Sequence, residues 1–407
     1  MIIVKSLLKD YRLFIFLIIF VSSETILFGT NNNATYISLK NLFVFLLFPL
    51  SFYLLHKEKK SIALPASMQG WVLCFALFLL CCSIANGFTP GYISRFLLIL
   101  SGFNIARSIK RIVFWSTFEK IIFFIACYSI CAYVVNFAIP QVMRVFPIID
   151  NTADYSFYNL LFCNIPTNAI FATRLFGSFR EPGVFQMFLI MGLMTHWLQS
   201  TTIRGLRVSV YIVAILLTLS TTGYIALTIL IIIYRFSQTK NGLKDEALFV
   251  MLFLLLFVLY LYTDTLSSEG AVFGKLNDED NISTISRFGS IMGNIHVFLS
   301  SPFFGVGILS LDGLYNSYIK SNYFYFTSSN TNTILIQFST FGLFFGVLWS
   351  YGFCRFWGKL SSKMLPSLLF VFLGLLLFSG ENLTENILTY IIIGYGFLST
   401  KHAVTKV

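Results

Sequence analysis

Charge is scarce in this sequence. Asp, Glu, Lys and Arg make up 11% of its 407 residues, against about 25% in a soluble domain. An ordinary water-exposed surface is excluded by that shortage. Histidine is scarcer still, with four residues far apart in the chain, and their spacing does not suit a zinc site. Seven cysteines are present, none in a CxxC pair. Only Cys163 falls outside the apolar runs and their margins, so no structural disulfide and no cysteine metal site is expected. The acidic run Asn277–Asp280 lacks the ligand spacing of a calcium loop and reads as a solvated loop. No repeat of fixed period is visible, and the inverted repeats of a secondary transporter are not apparent. The first apolar run, Leu13–Phe28, has no small-residue cleavage site and reads as an uncleaved first span.

What is abundant is apolar surface. Hydrophobic residues make up 57% of the chain, and phenylalanine alone contributes 47. Apolar runs long enough to cross a bilayer recur along it, so a polytopic membrane protein is expected. Spans are expected near Leu13–Phe28, Asn41–Leu55, Met68–Ala85, Tyr92–Ala106, Lys120–Ile139, Val184–Leu198, Leu206–Ser220, Thr222–Phe236, Ala247–Tyr262, Thr333–Phe353, Met364–Ser379 and Asn386–Leu398. The run from Leu206 to Phe236 admits two readings, one long helix or a hairpin broken at Ser220–Gly223. In the hairpin the hydroxyls of Ser220, Thr221 and Thr222 satisfy freed backbone groups, and Gly223 permits the turn.

The hairpin gives about twelve transmembrane helices with both termini in the cytoplasm. Charge then follows the positive-inside rule: all but eight of the 28 Lys and Arg fall in cytoplasmic termini and loops, such as HKEKK at 56–60. The net charge of +11 therefore reflects membrane orientation, and nucleic acid is not an expected partner. Two long connections face outward, loop A at 140–183 and loop B at 263–332. Long loops in compact proteins are usually functional.

The eight remaining basic residues are Lys40, Arg95, Arg144, Arg174, Arg180, Lys275, Arg287 and Lys320. Arg174, Arg180 and Glu181 gather in RLFGSFREPG, just before the Val184–Leu198 span. A guanidinium fork suits a phosphate or pyrophosphate. Pro182 fits the first turn of the next helix, with Glu181 at its cap. The outward-facing helix start also favours an anion. Arginines at such a boundary also snorkel to lipid phosphates, and Glu181 equally suits a helix cap or a partner for Arg180. In loop B, Ser286 to about Ser300 reads as a helix ended by Pro302. Arg287 and His296 are nine positions apart, half a turn out of phase at about 100° per residue. Arg287 is the functional candidate, and His296 a surface or packing residue. His196, near the cytoplasmic end of its span, reads as structural. The aromatic segment Asp154–Phe162 reads as interface packing or a lid.

Four motifs, in order, resemble the O-antigen polymerase and ligase superfamily. They are Arg174-Leu-Phe-Gly-Ser-Phe-Arg-Glu-Pro-Gly183, the broken helix Leu219–Leu227, Ser286-Arg287 followed by Ser300–Gly307, and Thr331–Gly346. Where ligases carry a histidine before the asparagine of the last motif, this chain has Thr331 before Asn332. Where ligases carry an arginine after the polar pair of the broken helix, it has Gly223. Both departures favour the polymerase branch.

The resemblance implies an all-α polytopic membrane protein of the GT-C glycosyltransferase type in the bacterial cytoplasmic (inner) membrane. It implies glycan transfer from undecaprenyl pyrophosphate to the non-reducing end of another lipid-linked repeat unit. No cofactor and no metal are expected, since arginines can stabilise a leaving pyrophosphate. A chain-length regulator protein and membrane lipids are the further implied partners. Arg174, Arg180, Arg287 and Asn332 are the candidate pyrophosphate or glycan contacts, and Glu181 the candidate general base. The competing readings are a ligase, a lipid-linked-oligosaccharide transporter or flippase, and a non-catalytic scaffold.

Overall fold

The computed structural model describes residues 11–61, 65–152, 155–168, 173–200, 205–238, 282–322 and 330–398. The chain is mostly helical. Its helices are α1 (Tyr11–Phe20), α2 (Ala34–Lys57), α3 (Ala66–Asn86), α4 (Pro90–Ser108), α5 (Arg111–Ala138), α6 (Pro182–Gln199), α7 (Leu206–Leu217) and α8 (Thr221–Gln238). They continue with α9 (Ile282–Ser300), α10 (Gly307–Ser321), α11 (Thr333–Gly358), α12 (Met364–Ser379) and α13 (Ile387–Phe397). Among the described residues four helices, α2, α3, α5 and α11, are long and apolar enough to cross a membrane, and five more are shorter and apolar.

The helices are apolar on the outside as well as within. On α3, Leu73, Leu77, Leu80 and Ile84 are all exposed, at the spacing of one helical face. Leu365, Leu368 and Phe372 do the same on α12. Soluble monomers do not expose stripes of this kind; in a bilayer they face lipid. Polar side chains turn inward instead, as where Asn104 donates to Ser51 Oγ at 3.2 Å, both buried. This is the architecture of a helical membrane protein.

Two compact units divide the described residues. The first draws on Met1–Pro65, Leu97–Tyr224 and Glu385–Leu398, the second on Ala66–Phe96 and Ile225–Thr384. In the first, α5 packs against α6, α7 and α1, and Phe179 stacks on Phe188 with ring centroids 4.4 Å apart. In the second, α11 is the central helix, packed by α12, α9, α3 and α10.

Loop A is folded. It holds a three-stranded antiparallel sheet, β1 (Ile148–Asp150), β2 (Ser156–Asn159) and β3 (Asn164–Pro166), in the order β1-β2-β3. Its inner residues Leu160, Cys163 and Ile165 pack with Ala132 and Met143. The aromatic segment is thus the middle strand and its turn: Phe157 packs against Ile26 and Phe176. Burial pushes the Cys163 thiol up to about 12, which leaves it protonated and unreactive at neutral pH.

The segment Ser300–Gly307 meets α11 backbone to backbone. Gly342 interrupts α11 at φ 83°, ψ −178°, a region open only to glycine. Leu343 N–H donates to Pro302 C=O at 2.7 Å, and Val306 N–H to Ser339 C=O at 2.9 Å. A Cβ on Gly342 would stand 2.1 Å from the Phe303 carbonyl oxygen, whereas one on Gly70 would meet nothing within 4 Å. Gly342→Ala is therefore expected to destabilise the chain by at least about 3 kcal/mol. Gly70→Ala, inside α3, is expected to be neutral or to stabilise by about 0.5–1 kcal/mol. Thermal unfolding in detergent compares the two, and equal midpoints would show that the contact is loose.

Every expected span but one falls on a helix; Ala247–Tyr262 lies outside the described residues. Helices α2 and α5 begin earlier than expected, at Ala34 and Arg111, and two interruptions also differ from expectation. The first run is helical only to Phe20, and Ser22–Thr25 then turns aside before a π-helical turn at Ile26–Thr30. The break after α7 falls at Thr218–Ser220, with Leu219 at φ 47°. Gly223 lies inside α8, close against the Gln186 side chain. The left-handed residue is thus a leucine, tolerated because Arg174 ties down the carbonyls around it.

Candidate functional site

Glu181 is the N-cap residue of α6 with extended backbone, and Pro182 follows in the first turn. Its side chain makes no capping bond and is 58% exposed. The Glu181 carboxylate is therefore mostly exposed, not partly buried at the helix start. Arg180 Nη1 lies 3.5 Å from Glu181 Oε1, a loose and exposed pair.

The firmer partner of Arg180 comes from the first loop. Glu24 is 1% exposed, and its Oε2 accepts from Arg180 Nε at 3.1 Å. Ser23 Oγ donates to Glu24 Oε1 at 2.7 Å. The backbones pair too: Arg180 N–H donates to Glu24 C=O at 2.8 Å and Ile26 N–H to Ser178 C=O at 3.1 Å, around an antiparallel bridge between Thr25 and Phe179. The Arg180 side chain keeps 20% of its surface exposed. One cation thus stands between a buried carboxylate and an exposed one.

Arg174 is used differently. Its Nε donates to Thr218 C=O at 3.1 Å and its Nη2 reaches Leu219 C=O at 3.5 Å, while Leu175 N–H donates to Leu217 C=O at 2.9 Å. These are carbonyls freed at the end of α7, where a cation is favoured. Arg174 thereby secures the broken helix through these carbonyls, whereas Arg180 is held by Glu24.

In the second unit, Arg287 is half-buried on α9. Ser290 and Asn294 follow at three and seven positions, on the same helical face. Both are buried and both bind the segment before α11. Ser290 Oγ donates to Asn330 Oδ1 at 3.0 Å and accepts Thr331 N–H at 2.9 Å. Asn294 and Asn330 exchange amide bonds at 2.7 and 3.1 Å. Asn332 caps α11, its Oδ1 accepting Leu335 N–H at 2.9 Å, and it is buried. The structure thus brings Arg287 within a turn of a polar knot that fixes the start of α11. Asn332 serves that knot through its capping bond. His296, on the opposite face, stacks on Tyr318 at 4.2 Å, beside a cavity of about 340 Å³ between α9 and α10. The parts of loop B at 263–281 and 323–329, including Lys275 and the acidic run, lie outside the described residues.

Sequence reasoning missed two carboxylates. Glu24 sits in an apolar run that reads as a span, and its partner is far away in the chain. Glu119, on α5, is also buried; Arg207 Nη1 lies 3.2 Å from its Oε2, and His196 Nδ1 3.5 Å from its Oε1. Tyr211 Oη donates to the Glu119 backbone carbonyl at 2.9 Å. A glutamate at the edge of an apolar run (WSTFEKIIFF) is the signal that could have found it, since ionisable groups inside spans are functional candidates by default. Among the described residues, no three His, Cys, Asp or Glu side chains come together as metal ligands.

No family model matches this sequence, and no curated protein is significantly similar to it.

Proposed function

We propose that the chain is a polytopic glycosyltransferase of O-antigen polymerase type, with about twelve spans and a GT-C-like architecture. It moves glycan from undecaprenyl pyrophosphate to the non-reducing end of a second lipid-linked repeat unit, at the outer face of the bacterial inner membrane. The observation that carries this reading is the exposed Glu181 beside Arg180 at the mouth of α6. The acceptor hydroxyl attacks the anomeric carbon of the donor, its oxygen forming the new glycosidic bond. The bond from that carbon to the phosphate oxygen breaks, and the pyrophosphate leaves with the electron pair. Glu181 accepts the hydroxyl proton. Arg180 offers a guanidinium to the negative charge that develops. A phosphate approaching Arg180 displaces the loosely held Glu181, which frees that carboxylate for the proton; Glu24 stays in place. Arg287 remains the second cation assigned to the donor by family resemblance.

The buried Glu119, with Arg207 and His196, supports a second reading. Transporters keep ionisable groups inside their spans, so a flippase for the same lipid-linked glycan is the competitor. Deletion of the gene in its host separates the readings by gel analysis of surface glycan. Surface glycan of a single repeat unit is the expected result. No glycan on the lipid core would indicate a ligase, and repeat units accumulating on the inner leaflet would indicate the flippase.

A further inference from the structure

We propose that Glu24 is the positioning residue of this site, holding the Arg180 guanidinium in the one orientation that meets the donor's pyrophosphate. The proposal rests on the reading of Arg180 as a pyrophosphate contact. A carboxylate buried to this degree is costly unless it is paired and hydrogen-bonded. Glu24 meets both conditions through Arg180 Nε on one oxygen and Ser23 Oγ on the other. Its backbone N–H also lies 3.3 Å from Ser22 Oγ, so the turn that carries it is itself tied down.

The geometry goes beyond simple charge balance. The main chains of Glu24 and Arg180 are joined by a 2.8 Å hydrogen bond, and the side chains repeat that join. Gripping a guanidinium at Nε fixes the plane of the whole fork, including the Nη1 that faces Glu181. A lysine would have no such plane to fix. Preorganised donors act on developing charge without reorganising during the reaction, and misplacing one by about 1 Å is costly. Glu24 touches no reacting atom here; it works through Arg180.

The test uses the purified full chain in detergent. Turnover is read with lipid-linked repeat units extracted from the host, and anion binding with inorganic pyrophosphate. Glu24→Gln keeps the size and an acceptor for Nε but removes the charge. It is expected to lower kcat at least tenfold and weaken pyrophosphate about tenfold, with KM for the acceptor little changed. Glu24→Asp, which withdraws the carboxylate by one methylene, is expected to recover little of the loss. In an Arg180→Gln background, Glu24→Gln is expected to add nothing, because the two act as a unit. A Glu24→Gln chain with a lower thermal midpoint but wild-type kcat and pyrophosphate affinity would make Glu24 a structural residue only. Losses that multiply in the Arg180→Gln background would also overturn the proposal. If Glu24→Gln fails to fold, Ser23→Ala removes only the hydroxyl on Oε1. It is expected to weaken pyrophosphate about threefold, and unchanged affinity would overturn the proposal. A wild-type chain that binds no pyrophosphate overturns the underlying reading, and this one with it.

Discussion

Glu181→Gln is expected to cut turnover about a hundredfold or more, at unchanged protein level and nearly unchanged thermal midpoint. General-base catalysis is typically worth about 10²–10⁴ in rate. The structural contribution of the same carboxylate is small. It makes no side-chain capping bond, it is 58% exposed, and its contact with Arg180 is 3.5 Å long. A charge at a helix start and an exposed ion pair contribute about 1 kcal/mol or less. Glutamine keeps the size and a hydrogen-bond acceptor but takes no proton near neutral pH. Structural and chemical roles therefore differ by an order of magnitude or more in this one variant. The measurement is initial rate with purified lipid-linked repeat unit, beside a thermal unfolding curve. Near wild-type rate would make Glu181 a surface residue and leave the proton with another group.

What the sequence made legible here was what local chemistry decides. Runs such as Met364–Ser379 are apolar for their whole length, and they form helices at those bounds. Pro182 and Glu181 announced the start of α6, because a proline fits the first turn and holds the residue before it in extended conformation. The region of the break after α7 was also visible, since hydroxyl residues interrupt an apolar run there. Its exact residues were not, because Leu219 holds a left-handed conformation through carbonyl contacts from Arg174, a residue more than 40 positions earlier.

Long-range pairing hid the rest. Ser22–Thr25 looks like a polar blemish within a span until Phe179 and Arg180 supply its partners. The strands of loop A are too short and too mixed in burial to announce themselves. They are stabilised by packing on α5 side chains such as Ala132. Glu119 stands at the edge of an expected span, and the fold buries it against Arg207. For Glu24 and Glu119 a polar group in or beside an apolar run was the clue, and its partner lay on another element.

Arg287→Ala is the second large effect, with loss of detectable polymer expected at unchanged protein level. The second unit explains why the chain should tolerate the change. The start of α11 is held by Ser290, Asn294 and Asn330, which bond to one another and to Thr331. Asn332 adds its own cap. None of these bonds uses the arginine side chain, so the polar knot keeps them when it is removed, and a thermal unfolding curve beside the gel reads any other loss of stability. Arg180 is the contrasting case. Truncating it would leave Glu24 buried without its cation, a change that costs about 3–5 kcal/mol in a buried pair. Loss of polymer in Arg180→Ala would then mix chemistry with misfolding. Arg287→Lys sharpens the test: it keeps the charge but not the planar fork, and is expected to recover less than a tenth of the polymer if a bidentate phosphate contact is required. Full recovery with lysine would reduce the role to a point charge. Wild-type glycan length in Arg287→Ala, read by gel in the host, would remove Arg287 from the reaction.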